Sequence, residues 1–205
     1  MRFIGDVHGK FEDYLAKAKA YKGETFQVGD MGLGFGPQLP KLSKRHKFIR
    51  GNHDNPELCK AHYNYAGDYG YWEESKLFFI GGAYSIDINF RLAYEKTHGR
   101  KIWWPDEELS LIELQEAFAM YKKKDPKVVV SHDCPTQVAL HILDKLTPGF
   151  RPEKKVQTRT GDALDRMFRY HQPNTWIFGH YHLDQDFELG GTRFICLSEL
   201  SYVDL

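Results

Sequence analysis

Five short polar clusters in this sequence could do chemistry: Asp6-Val7-His8-Gly9, Gly29-Asp30, Gly51-Asn52-His53-Asp54, Ser131-His132-Asp133 and Gly179-His180-Tyr181-His182. Asp6 and His8 stand two apart, as do His180 and His182, so each pair can aim two donors at one point from the turn after a strand. Asp30 carries two oxygens and can bridge two cations. Asn52 offers an oxygen without adding negative charge. A donor set of imidazoles and carboxylates with no thiolate suits Mn, Fe or Zn, and its oxygen share favours Mn or Fe. Two such ions about 3.5–4 Å apart clamp the attacking and leaving oxygens of an in-line phosphoryl displacement. They also lower the pKa of bound water from about 15.7 toward ~7, which makes hydroxide available as a nucleophile at neutral pH.

These residues need a scaffold that brings them to one place. Short apolar runs alternate with longer helical patterns, the signature of an α/β protein. Strands are expected over 2–5, 25–28, 47–49, 77–80, 127–130 and 175–178, with a hairpin of 185–189 and 193–197 across Gly190-Gly191. Helices are expected over 11–21, from Asn55-Pro56 onward, over 105–122 and over 162–170. In the third of these, Asp106, Glu107 and Glu108 open the helix and Lys122 to Lys124 close it, both suited to the helix dipole. Each cluster directly follows an apolar run. In α/β sheets the crevice beyond the carboxyl ends of the strands is where ligands bind. Residues 87–104 and 145–161 break the alternation and read as insertions beside a site, so 1–205 is taken as one domain.

Composition narrows the setting. Lys plus Arg number 28 and Asp plus Glu 28, a formal net charge of zero, which argues against a broad basic face for duplex nucleic acid or a membrane surface. At 41% hydrophobic and 27% charged, the chain can bury a core without disulfides. Cys59, Cys134 and Cys196 show no CxxC spacing, so neither a disulfide framework nor a cysteine zinc site is expected. The opening MRFIGDVHGK carries no signal-peptide pattern, and no stretch approaches the ~18 apolar residues of a membrane span. A cytoplasmic location with no membrane partner is the expectation. Of the 10 histidines, His46, His62, His98, His141 and His171 lie outside the clusters and are expected to be surface or structural.

The order of the clusters resembles the calcineurin-like metallophosphoesterase superfamily, whose motifs run D-x-H, G-D, G-N-H-[DE], H and G-H-x-H. Asp6-Val7-His8, Gly29-Asp30, Gly51-Asn52-His53-Asp54, His132 and Gly179-His180-Tyr181-His182 match all five between positions 6 and 182. The resemblance implies a four-layer α/β/β/α sandwich with a dinuclear site of two divalent ions, Mn²⁺ first, with Fe, Zn or Ni as alternatives. It implies that one ion is held by Asp6, His8, Asp30 and His182, and the other by Asp30, Asn52, His132 and His180. His53 would then protonate the leaving oxygen, Asp54 would orient its ring, and Arg50 would grip the phosphate alongside Asn52 and His53, as in the Arg-Gly-Asn-His form of the protein-phosphatase-like branch. The sequence departs from that branch after Asp30, reading Met31-Gly32-Leu33-Gly34 where a second Asp and an Arg-Gly are usual. A second phosphate-gripping arginine is missing there, and Gly32, Gly34 and Gly36 suggest a mobile, open loop.

The resemblance implies a metal-dependent phosphoesterase, with a lean toward phosphate monoesters on phosphoproteins or nucleotides. A phosphodiesterase on cyclic nucleotides, such as 2′,3′-cyclic phosphates, or on nucleic-acid ends is the alternative. A non-catalytic binding member of the fold is the third reading, and the complete ligand set with His53 speaks against it. Aromatics at Tyr63-Asn64-Tyr65, Tyr69-Gly70-Tyr71-Trp72 and Trp103-Trp104 could stack on bases, though layer packing is the simpler account. Arg151, Lys154, Lys155 and Arg159 form a basic stretch that could meet phosphates, against the plainer reading of a solvated loop.

Overall fold

The structure is a computed structural model describing residues 1–146 and 157–205. In chain order the elements are β1 (Arg2–Ile4), α1 (Phe11–Ala20), β2 (Thr25–Gln27), β3 (His46–Phe48), α2 (Pro56–Ala61), β4 (Tyr69–Trp72), β5 (Leu77–Ile80), α3 (Ile88–His98) and α4 (Leu111–Lys124). There follow β6 (Val128–Ser131), α5 (Thr136–Leu146), α6 (Arg159–Tyr170), β7 (Thr175–Phe178), β8 (Gln185–Leu189), β9 (Thr192–Cys196) and β10 (Tyr202–Asp204). One sheet runs β10-β1-β2-β3 and the other β4-β5-β6-β7-β9-β8. β1, β2 and β3 are parallel, as are β5, β6, β7 and β9; β10, β4 and β8 pair antiparallel at the edges.

Alternation along the strands sorts side chains into three apolar layers. Phe3 and Phe26 from the first sheet meet Leu77, Phe79, Val130, Ile177 and Ile195 from the second. Ile4 and Phe48 face the other way, toward Phe11, Tyr14 and Ala18 of α1. Phe78, Val129, Trp176, Phe178 and Phe194 face outward from the second sheet onto α4, α5 and α6. Three apolar layers between four layers of secondary structure make the α/β/β/α sandwich the sequence implied. Each large aromatic buried in this way contributes on the order of 2–3 kcal/mol. Cys59, Cys134 and Cys196 are free thiols within the packing.

The departures from expectation have local causes. α4 starts at Leu111 rather than 105, because Ser110 and Glu113 form a capping box there. Glu107 and Glu108 therefore do not serve that helix's dipole: Glu107 receives the N–H and hydroxyl of Ser85, and Glu108 receives those of Thr160. α6 begins at Arg159, capped by Thr158. The first insertion contains α3, whose single buried residue, Arg91, gives it no apolar stripe to read. β4 coincides with one of the aromatic runs, and β10 closes the edge beside β1, tied by the Arg2–Asp204 ion pair at 2.8 Å. Of the basic stretch, Arg151, Lys154 and Lys155 lie outside the described residues; Arg159 stands 3.8 Å from Glu108. Among the described residues, no helix is long and apolar enough to cross a membrane.

Candidate metal centre

Loops after the parallel strands β1, β2, β3, β6 and β7 carry the five clusters to one end of the sandwich. They are stitched together by backbone: Val7 and His8 both donate to the Asp30 carbonyl at 2.9 Å, and Gly179 donates to that of His132 at 3.1 Å. His8, Asp30, His180 and His182 all have positive φ, between 48° and 70°, a conformation that non-glycine residues adopt at a cost of about 1–2 kcal/mol. Four expected ligands therefore sit in strained backbone, as functional groups often do. Two motif glycines are required by crowding. A Cβ on Gly51 would collide with Asp30 Oδ1 and His132 Nε2, and one on Gly179 would collide with Asp6 Oδ1.

Asp6, His8, Asp30 and His182 bring one ligand atom each to within 4.8 Å of one another. His8 Nε2 lies 3.8 Å from both Asp6 Oδ2 and Asp30 Oδ2, and His182 Nε2 lies 3.6 Å from Asp6 Oδ2. Asp6 and Asp30 are fully buried, whereas the His182 side chain is 53% exposed, so the group opens to solvent on one side. His8 Nε2 and Asp30 Oδ2 are buried polar atoms without a hydrogen-bond partner among the described residues. Orphaned atoms of this kind cost about 1–3 kcal/mol each. A divalent cation with metal–ligand distances of about 2.0–2.2 Å would satisfy both. The residues fit a metal ion.

The second expected set also converges. Asn52 Oδ1 is 3.2 Å from His132 Nε2 and 3.0 Å from His180 Nδ1, while His132 Nε2 is 3.1 Å from Asp30 Oδ1. The Asn52 carboxamide is oriented from behind: its Nδ2 donates to Ser85 Oγ at 3.1 Å, and that hydroxyl donates to Glu107 Oε2 at 2.5 Å. This chain turns the amide oxygen toward the histidines. Burial and then Asp30's charge push the Asp6 pKa up to about 8, partly offset by His132. Burial would also raise Asp30, but His132 outweighs it and holds that carboxyl well below the usual range. Burial works against the charged form of His132, yet Asp30 and Asp6 raise it to about 10. Burial lowers His8 and His180.

His53 stands at the edge of this cluster, its ring 5.0 Å from that of His8 and its backbone N–H donating to Asp30 Oδ1 at 2.7 Å. Its pKa is lowered to about 4, first by burial and then by Arg91, against the pull of Asp30. Asp54 does not touch the His53 ring. Its carboxylate accepts four backbone N–H groups, from Met31, Gly32, Leu33 and Gly51, at 2.8–3.1 Å. It knots the Asp30 loop to the Asn52 loop, and the expected ring-orienting role gives way to this one. The same knot buries Met31, Gly32 and Leu33, so the glycine loop is not open at that point. Burial, then Asp30's charge, push Asp54 up to about 7, while its backbone donors favour the ionised form.

Arg50 is the clearest correction. Its side chain is 2% exposed and committed elsewhere: Nε donates to Asp68 at 2.6 Å, and Nη1 to the carbonyls of Asp106 and Glu107 at 2.8 Å. Another arginine occupies the edge of the site. Arg91 of α3 is buried and donates from Nη2 to His53 Nε2 at 2.5 Å and from Nη1 to the Asn52 carbonyl at 3.3 Å. Sequence reasoning missed Arg91, Ser85 and Glu107; the only signal was that Arg91 fell in an insertion already placed beside the site. His46, His62 and His171 hold local partners, Thr25, the Leu39 carbonyl and the Pro126 carbonyl. Of the aromatics, Trp104 is buried and meets Phe35, whose ring is 5.7 Å from that of His53. Tyr65 packs on Phe48 and bonds Asp68, as layer packing would have it.

A lariat debranching enzyme from Entamoeba histolytica is 22% identical in an alignment covering 97% of this chain and 68% of that protein. Among solved structures, a phosphopantetheinyl hydrolase from Mycobacterium tuberculosis matches with a TM-score of 0.51 at 14% identity, over 97% of this chain and 89% of the other. An uncharacterised predicted phosphoesterase from Streptococcus pneumoniae is 14% identical, with a TM-score of 0.41, over 97% of this chain and 72% of that one. The profile of the calcineurin-like phosphoesterases matches residues 2–184, and the chain belongs to that family of metal-dependent hydrolases acting on phosphate esters.

Proposed function

We propose that the protein hydrolyses phosphodiesters at a site formed by Asp6, His8, Asp30, His182, Asn52, His132 and His180, with two divalent ions, Mn²⁺ first among them. The observation that carries the metal-dependent reading is the orphaned pair His8 Nε2 and Asp30 Oδ2, buried beside Asp6 and pointing to a cation. Bound divalent ions supply positive charge to the phosphate oxygens and acidify water. The protein's own groups do the rest. Asp30 spans the two donor sets, with Oδ2 near His8 and Oδ1 near His132. Asn52 is held with its oxygen inward by Ser85 and Glu107. His53 stands next to both sets, its backbone N–H donating to Asp30 and its Nε2 accepting from the guanidinium of Arg91, and we assign it to the leaving-oxygen side of the substrate.

The choice of ester follows from charge. A monoester carries one more negative charge than a diester; Arg50 is bound to Asp68 and no arginine follows Asp30 in Met31-Gly32-Leu33-Gly34, so among the described residues a single guanidinium, that of Arg91, stands at the edge of the site. Diesters therefore replace monoesters as the favoured substrate class. Monoesters remain the second reading because Arg91 brings one buried guanidinium to the edge of the site. Hydrolysis of bis-p-nitrophenyl phosphate and p-nitrophenyl phosphate, with and without added Mn²⁺, tests both. Metal-dependent turnover with higher kcat/KM on the bis ester is the expected result. Faster monoester cleavage reverses the choice of ester, and no metal-dependent turnover of either refutes the enzyme reading at this site.

A further inference from the structure

Helix α3 is docked in an unusual way. In its 11 residues the one buried side chain is charged, while Phe90 and Leu92 on either side of Arg91 are 66% and 43% exposed. An apolar face would have been the ordinary way to seat such a helix. Arg91 instead is anchored through Nε to Asp87 at 2.7 Å and through Nη1 to the carbonyls of Asn52 and Ile102 at 3.3 and 3.4 Å. These contacts fix the guanidinium plane and leave Nη2 turned to His53.

A guanidinium has five N–H donors. Nε uses one, Nη1 uses two, and Nη2 gives one to His53. The second donor on Nη2 has no acceptor among the described residues, although the side chain is 3% exposed. A guanidinium stays charged, and a buried charge is costly unless an anion or a full set of acceptors meets it. Among the described residues the one carboxylate hydrogen-bonded to Arg91 is Asp87, itself 44% exposed, while Glu107 acts on it through space. What remains is a cation held rigidly beside His53 and Asn52, with one donor spare, at a site that handles phosphate esters.

We propose that Arg91 is the phosphate-binding arginine of this site, its Nη2 donating to a non-bridging oxygen of the substrate. The inference rests on the phosphoesterase reading above and adds the residue that holds the substrate's anion. It supplies from an inserted helix the contact that Arg50 does not make. Planar, anchored and always charged, a guanidinium fits this task better than a lysine, which offers a point charge on a flexible stem.

The test is calorimetric titration of inorganic phosphate into the Mn²⁺-loaded wild-type protein, Arg91→Lys and Arg91→Ala, with bound metal and thermal midpoint measured for each. The wild-type protein is expected to bind phosphate, and both variants to bind it about 10- to 100-fold more weakly at unchanged metal content. Guanidinium added to Arg91→Ala is expected to restore part of the affinity, which a role confined to seating α3 would not produce. Phosphate affinity within twofold of wild type in a variant overturns the proposal. If Arg91→Ala fails to fold, Arg91→Lys decides by the same criterion. A metal-loaded wild-type protein that binds no phosphate would instead refute the phosphoesterase reading on which the proposal stands.

Discussion

Replacing Arg50 by alanine separates two accounts of that residue. If it gripped substrate, the loss would fall on KM and stability would scarcely change. The structure predicts the reverse. The substitution removes a buried guanidinium that donates to Asp68 at 2.6 Å and to two carbonyls at 2.8 Å. Asp68 keeps Tyr65 at 2.8 Å and Lys60 at 3.1 Å, so its charge is not abandoned, but the Asp106 and Glu107 carbonyls lose their donor and a cavity opens. Breaking a buried pair from one side costs about 3–5 kcal/mol. At about 2–4 °C per kcal/mol for a chain of this size, the midpoint should fall by about 6–20 °C. Thermal melts followed by circular dichroism measure it, and a double-mutant cycle with Asp68→Asn should recover a coupling of about 1.5–3 kcal/mol. Kinetics taken well below the lowered midpoint should show KM within about twofold of wild type, well under the tenfold change that 1.4 kcal/mol of binding represents. A tenfold rise in KM with an unchanged midpoint would refute the reasoning and return Arg50 to the phosphate.

Asp54→Asn should orphan two of the four N–H groups the carboxylate now accepts, since an amide turns two hydrogens toward donors. A loss of about 2–4 kcal/mol follows, after an offset for removing a buried charge near Asp30. A variant with normal stability and a low kcat would favour the ring-orienting role. Metal affinity should rise with pH, because the Asp6 carboxyl, raised to about 8 chiefly by burial, must lose its proton to act as a ligand. For the ion held by Asp6, His8, Asp30 and His182 this adds up to about tenfold per pH unit below about 8, and His132, raised to about 10, must also lose its proton to hold the second ion, so proton release on loading is measurable by calorimetry in buffers of different ionisation enthalpy. Affinity independent of pH would contradict it. In the metal-free protein the sign is opposite: Asp6's contribution to stability is full below its unfolded pKa of about 4 and is lost as pH rises through about 8.

Backbone was legible in the sequence where period and composition set it. The Val128-Val129-Val130 run, the Thr175–Phe178 strand and the hairpin across Gly190-Gly191 fall where alternation and turn chemistry put them. The residues expected as ligands were legible because each follows a strand whose direction the α/β order dictates. Side-chain commitments were not. The Arg-Gly-Asn-His motif fixes where Arg50 leaves the chain, but Asp68, 18 residues on, captures its guanidinium. Asp54 looked like a partner for its neighbour His53, yet its bonds go to N–H groups 21 to 23 residues back and to Gly51. Helix α3 escaped notice because it is seated by Arg91 rather than by an apolar stripe. For Arg50 and Asp54 the deciding partners are distant in sequence, as are the Asn52 carbonyl and His53 that Arg91 meets, and no local pattern encodes them.

The division of donors between the two sheets has a mechanical consequence. Asp6, His8, Asp30 and Asn52 hang from β1, β2 and β3, while His132, His180 and His182 hang from β6 and β7. The sheets otherwise meet largely through apolar side chains such as Phe3, Phe26, Phe79 and Ile177, whose attraction is non-directional. Such a layer resists being pulled apart more than it resists sliding. An ion bound by Asp6 and His182 would rivet the sandwich at one end, joining positions 176 residues apart along the chain. Chelation should therefore let the sheets shear first at the mouth of the site.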